Sequence, residues 1–137
     1  MIFSPIKIGS LEVSNRIVVA PMCQYSAING VMTDWHTQHL MQLGYSSAGL
    51  IMVEAPAVEE IGRITHNCVG IYNKNCIQSL KKNLQLAKLV ATNKSCFGIQ
   101  LAHAGRKAST QRPWEGRSSL SKEENPWKTI CPSPIPF

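Results

Sequence analysis

The run Gly49-Leu50-Ile51-Met52-Val53 has no polar residue to turn toward water, which restricts it to a strand covered on both faces. Two further short apolar runs flank it in the chain. Ile17-Val18-Val19-Ala20 is ended by Pro21, and Cys96-Phe97-Gly98-Ile99 leads into Gln100-Leu101. Runs this short, bounded by breakers, suit buried strands. Between them lie segments of helical period. The first is expected from Thr33-Asp34, either of which is a capping residue, to about Ser47, with Leu40, Leu43 and Ser47 on one side. The second runs from about Lys74 to Thr92. It places Ile77, Leu80, Leu84, Ala87 and Ala91 on one side and Lys81, Lys82, Gln85 and Lys88 on much of the other. Strand, helix, strand, helix, strand is the order of a parallel α/β architecture. Ile6-Lys7-Ile8 and Leu11-Glu12-Val13, joined by Gly9-Ser10, predict a small hairpin ahead of it.

In such a layout the C-terminal ends of the parallel strands share one mouth, and ligands bind there. Pro21 to Tyr25, Glu54 to Ala57 and Gln100 to Arg106 are the segments that reach it. A planar heterocycle with carbonyls and ring nitrogens is read by a side chain that both donates and accepts, as Gln100 does. Cys23 is small and polarizable enough to lie against such a ring, and Tyr25 adds a phenolic donor. Taken alone, Cys23 fits a buried small hydrophobe better than a functional thiol, and Gln100 fits a polar group at a strand edge. His36 and His39 share a face by spacing, but no third ligand has metal-site register.

The net charge is +6, and no Asp or Glu occurs between Ile61 and Trp114, where nine Lys and Arg residues fall. They are dispersed, and spaced lysines on a helix read as a solvated face. No basic-aromatic pattern argues for nucleic acid. No apolar run approaches a bilayer span, so no membrane segment is expected. The five cysteines form no CxxC pair, and Met1-Ile2-Phe3 is not followed by a leader-like apolar core. Reduced thiols in a cytoplasmic protein are the expectation. Residues 109–137 change character, being rich in Ser, Pro, Lys and Arg with Trp114 and Trp127. They are expected to form a long excursion or lid on a single domain spanning 1–137.

Four ordered segments carry a resemblance. Ser14-Asn15-Arg16-Ile17-Val18-Val19-Ala20-Pro21-Met22-Cys23-Gln24-Tyr25-Ser26 resembles the opening of the old yellow enzyme family of flavin oxidoreductases. So do Gly49 to Ala55, Gly62-Arg63-Ile64-Thr65, and Gln100-Leu101-Ala102-His103-Ala104-Gly105-Arg106-Lys107. The pairing of Cys23 with Tyr25 is similar to the thermophilic-like ene-reductase branch, and the likeness runs from Phe3 to the closing Pro134-Ile135-Pro136-Phe137. The resemblance implies a (β/α)8 barrel. Such a barrel takes about 250 residues, so this chain of 137 is expected to be its N-terminal portion, about three strand-helix units.

The resemblance further implies FMN as cofactor, NADPH or NADH as reductant, and an enone or enal whose activated C=C bond is reduced. Pro21, Met22 and Ala55 are then expected to contact flavin through backbone or packing, Cys23 to tune it, Tyr25 to orient substrate, and Gln100 to hold its pyrimidine edge. Arg106 is expected to support its loop, and His103 to be structural. The family's later carbonyl-holding pair, strand-end arginine and phosphate cradle have no counterpart in these 137 residues. That leaves two expectations open. Either a companion chain or a second copy completes the barrel, or the chain is a catalytically inactive remnant or interaction module.

Overall fold

The computed structural model describes residues 1–92, 94–133 and 135. Pro134, Pro136 and Phe137, where the expected excursion closes, lie outside the described residues. The chain opens with a hairpin of β1 (Ile6–Ile8) and β2 (Leu11–Val13), in which Ile6 pairs with Val13 and Ile8 with Leu11. Then follow β3 (Val18–Val19), α1 (Asp34–Tyr45), β4 (Leu50–Val53), α2 (Lys74–Val90) and β5 (Cys96–Ile99). Single 3-10 turns occur at Glu60–Gly62, Gly105–Lys107 and Lys122–Glu124. β3, β4 and β5 form a parallel sheet in that order, with Val18 opposite Leu50 and Leu50 opposite Cys96.

Both helices stop about two residues before the expected ends, for local reasons. Ser47 takes a left-handed conformation (φ 64°) that turns the chain out of α1. Thr92 leaves α2 to donate its amide to the Gly44 carbonyl at 3.3 Å, and its hydroxyl meets that of Ser47. At the start of α2, Asn73 Oδ1 accepts the Cys76 amide at 2.9 Å, an N-cap.

The core lies where the helices cover one face of the sheet. Val53 and Phe97 pack with Leu40 and Leu43 of α1, and with Leu80, Leu84 and Ala87 of α2. The helices approach closely enough that a Cβ on Gly44 would sit 2.7 Å from the Ala87 carbonyl oxygen, so only glycine fits there. The buried stripe of α2 is turned from the expected one. Cys76, Asn83 and Ala87 are buried, whereas Ile77 is 52% exposed. Asn83 tolerates burial because its Oδ1 accepts from the Thr37 hydroxyl at 2.7 Å and its Nδ2 donates to the Ser79 carbonyl at 2.8 Å.

The other sheet face is sparsely covered. Strand alternation puts Leu50, Met52, Cys96 and Gly98 on it, and Leu50 and Met52 are only half-buried. Val18, expected in a buried strand, is 52% exposed. Two helices can cover only one side of three strands, which is why Ile51 and Val53 are buried and their neighbours are not.

Residues 109–133 fold back on the loop after β4. The Trp127 indole donates to the Ile61 carbonyl at 2.9 Å and its backbone amide to Ser109 Oγ at 3.0 Å. Arg63, buried, stacks on the Trp127 ring at 5.3 Å, and His66 Nε2 lies 2.8 Å from the Glu124 carbonyl.

Candidate active site at the strand ends

The segment leaving β3 carries Pro21, Met22, Cys23, Gln24 and Tyr25, and a chain of hydrogen bonds fixes its course. Gln24 Nε2 donates to the Met22 carbonyl at 2.8 Å, and the Trp35 indole donates to Gln24 Oε1 at 3.1 Å. Thr33 Oγ1 donates to the Ser26 carbonyl at 3.0 Å. Ala27 and Asn67 join the segment to the neighbouring loop by bonds of 3.0 and 3.1 Å. Tyr25 itself sits at φ 49°, in the left-handed region that non-glycine residues seldom occupy. Met22 is half exposed, while Pro21, Cys23 and Tyr25 are partly buried.

One carboxylate holds this segment to β4. Glu54, the residue after that strand, is 6% exposed, and its Oε2 accepts the Gln24 amide at 3.0 Å. His36 Nε2 comes within 3.3 Å of the other oxygen, both side chains being buried, but it is misaligned and makes no hydrogen bond there. The Thr33 amide donates to His36 Nδ1 at 3.0 Å. Nδ1 therefore has no proton to give, and Nε2 carries it toward Glu54.

The environment keeps the two candidate reactive groups neutral. Burial pushes the Cys23 thiol up, the Ala55 backbone pulls it partly back, and Glu54 and Cys68 add to the rise. The Tyr25 phenol is also raised, by burial first and then by Cys23 and Cys68, while Arg117 pulls it down. Tyr25 is a proton donor and Cys23 a thiol at neutral pH.

Gln100 follows β5, and extending the Val53–Ile99 pairing by one residue sets it beside Glu54. Beyond it the Ala102 amide donates to the Pro56 carbonyl at 3.2 Å and the Val58 amide to the Ala102 carbonyl at 3.0 Å, so the two strand ends stay together. Ala55 thus lies between the Cys23 segment and the Gln100 strand end. Gln100 is exposed, and its side-chain amide makes no hydrogen bond among the described residues. The later loop adds Trp114, whose ring meets Tyr25 edge-on at 5.7 Å. Trp114 stands on a tight turn closed by Arg112 and Glu115 and by the Gln111 amide donating to the Ser118 carbonyl at 2.8 Å.

The family model of NADH:flavin oxidoreductase / NADH oxidase proteins matches residues 1–133. The chain belongs to that family. It is 41% identical over 137 residues to an NADH:flavin oxidoreductase of Gibberella zeae, covering 98% of this chain and 32% of that protein. It is 38% identical over 139 aligned positions to an NADPH dehydrogenase of Geobacillus, covering 36% of that protein. The old yellow enzyme of Trypanosoma cruzi superposes with a TM-score of 0.74 at 25% identity, covering 98% of this chain and 35% of that one. The old yellow enzyme of a Pichia species gives a TM-score of 0.70 at 26% identity, covering 79% and 28%. The chain thus spans about a third of the length of the relatives it matches, and its α/β fold is the corresponding part of their barrel.

Of the residues that sequence singles out in this flavin oxidoreductase family member, Met22, Cys23, Tyr25 and Ala55 lie near Glu54, Pro21 precedes them on the same segment, and Gln100 follows on the adjacent strand end. Arg106 lies apart, donating to the Ile135 carbonyl and Ser133 Oγ, both at 2.8 Å, so it anchors the end of the excursion. His103 packs on Gly62 and faces Glu59 at 3.3 Å. Sequence reading assigned no role to Glu54, His36 or Trp114. A carboxylate directly after a wholly apolar strand was the available signal for Glu54. For Trp114, which reaches Tyr25 across an irregular loop, there was none.

Proposed function

We propose that this chain supplies the strand-end part of an FMN site in an oxidoreductase that uses NADPH or NADH to reduce the C=C bond of α,β-unsaturated carbonyl compounds. The observation that carries the reading is the convergence of a neutral thiol, a neutral phenol and an unengaged amide on one mouth. The exposed Gln100 amide offers a donor and an acceptor together, as the edge of a planar heterocycle requires. Pro21, Met22 and the small Ala55 offer backbone and close packing beside it. Bound FMN supplies the hydride chemistry. Cys23, kept as a thiol, sets the polarity against the ring, and Tyr25, kept as a phenol, donates a hydrogen bond to orient the substrate carbonyl. Among the described residues no helix is long and apolar enough to cross a membrane, and the reading places the protein in the cytoplasm.

The flavin-loaded protein is expected to consume a simple enone or enal when NADPH or NADH is supplied without oxygen. Loaded protein that oxidises the nicotinamide under air but consumes no enone or enal contradicts the assignment. Cys23→Ala is expected to shift the flavin potential while flavin stays bound, and an unchanged potential removes the tuning role.

A second reading is favoured by the uncovered sheet face and the open edge of β5. Val18 is 52% exposed on that face, and Ile99 and Leu101 are 37% and 64% exposed along the β5 edge and its continuation, apolar surface that a companion chain or second copy covers. On this reading the chain is an inactive interaction module. Sedimentation that shows a discrete oligomer with no flavin affinity supports it over the first.

A further inference from the structure

Glu54 stands between three parts of the fold that sequence keeps apart: the Cys23 segment after β3, the end of β4, and the first turn of α1. Its Oε2 accepts the Gln24 amide at 3.0 Å, the residue directly after Cys23, and its Oε1 faces the buried His36 ring. The His36 tautomer is in turn fixed by the Thr33 amide, so the ring presents a proton rather than a lone pair to the carboxylate. A carboxylate this buried is costly unless its oxygens are engaged. One oxygen is spent on the backbone of the candidate reactive loop.

We propose that Glu54 is a positioning residue for the flavin-facing loop, holding Cys23 in place through the Gln24 amide, with the buried His36 ring lying against its other oxygen. The significance for catalysis rests on the function proposed above, but the anchoring itself does not. The contact also places a negative charge beside the thiol. The titratable groups facing Cys23 are Glu54 from the end of β4, Cys68 from the turn after Thr65, and Tyr25 from its own loop, on which Arg117 acts in opposition. Those facing Glu54 from α1 are His36 and His39. Glu54 is the one carboxylate of the set, so its removal is the change that lowers the barrier to thiolate formation.

The test needs no flavin. Amide hydrogen exchange reports on Gln24, and peptide-resolved alkylation across a pH series reports on Cys23. The Ala57 amide, bonded to the Val69 carbonyl at 2.9 Å, monitors the integrity of the fold. In Glu54→Gln the side-chain carbonyl still accepts from Gln24, so protection at Gln24 is retained while Cys23 alkylation at neutral pH rises about threefold. In Glu54→Ala the Gln24 amide loses protection and Cys23 reacts faster, with Ala57 unchanged. Gln24 and Ala57 losing protection together would indicate a merely structural role and overturn the proposal. Unchanged Gln24 protection in a folded Glu54→Ala protein overturns it as well. Should Glu54→Ala not fold, an unaltered Cys23 pH profile in Glu54→Gln has the same force. Failure of FMN to bind or react leaves these readouts intact, so the two proposals fail separately.

Discussion

Asn15 and Gly49 are locked together below the sheet: Asn15 Oδ1 accepts the Gly49 amide at 2.9 Å, and a Cβ at residue 49 would stand 2.5 Å from the Asn15 carbonyl oxygen. The same Oδ1 accepts the Ile17 amide at 3.0 Å, and Nδ2 donates to the Ser47 carbonyl at 2.8 Å. One buried side chain therefore ties the entry of β3 to the entry of β4 and sets their parallel register. Asn15→Ala strands buried backbone groups, at a cost of about 2–4 kcal/mol. Urea unfolding measures it, and a loss under about 0.5 kcal/mol would show that the register is held elsewhere.

Stability is predicted to fall on the alkaline side. Cys68, Cys23 and Cys76 are held above the ordinary thiol value of 9.0, burial being the main cause in each. A thiol raised in the folded state keeps its proton there after the unfolded chain has lost it. Its contribution is thus complete below the unfolded value and is lost as pH rises through the folded one. The urea midpoint should decline above about pH 9 under reducing conditions, and Cys68→Ala should flatten the decline. A midpoint equal at about pH 7.5 and pH 10 contradicts this. His39, lowered from 6.5 by burial, works in the opposite direction. Its contribution is present above that value and is lost as pH falls through the folded one.

Trp127 is predicted to hold the 109–133 segment in place. Trp127→Ala removes the indole bond to Ile61 and the stacking on Arg63 and His66. Trypsin should then cut after Arg117 or Lys122 several-fold faster, because the segment opens without global unfolding. Equal cutting rates would assign the anchoring to Ser109 and Arg106 instead.

The parallel strands and both helices were legible because each is a local pattern: an apolar run, a capping residue, a period. The hairpin at Gly9-Ser10 was legible for the same reason. What escaped was non-local. Ile77 looked like core because the helical period permits it, but the stripe is settled by Thr37 reaching Asn83 from another helix. Val18 looked buried because apolar runs do not say how many layers cover them. The proposed site residues stand at motif positions, whereas the Glu54 contact with the Gln24 amide joins residues 30 positions apart. Trp114 reached Tyr25 through a segment with no period to read.

Titration of the folded, monodisperse chain with FMN, followed by flavin fluorescence, tests the strand-end site most directly. The account predicts saturable binding that weakens about tenfold in Gln100→Ala, the worth of one lost pair of polar contacts. Binding of equal strength in the variant, or none by the folded chain, would contradict it.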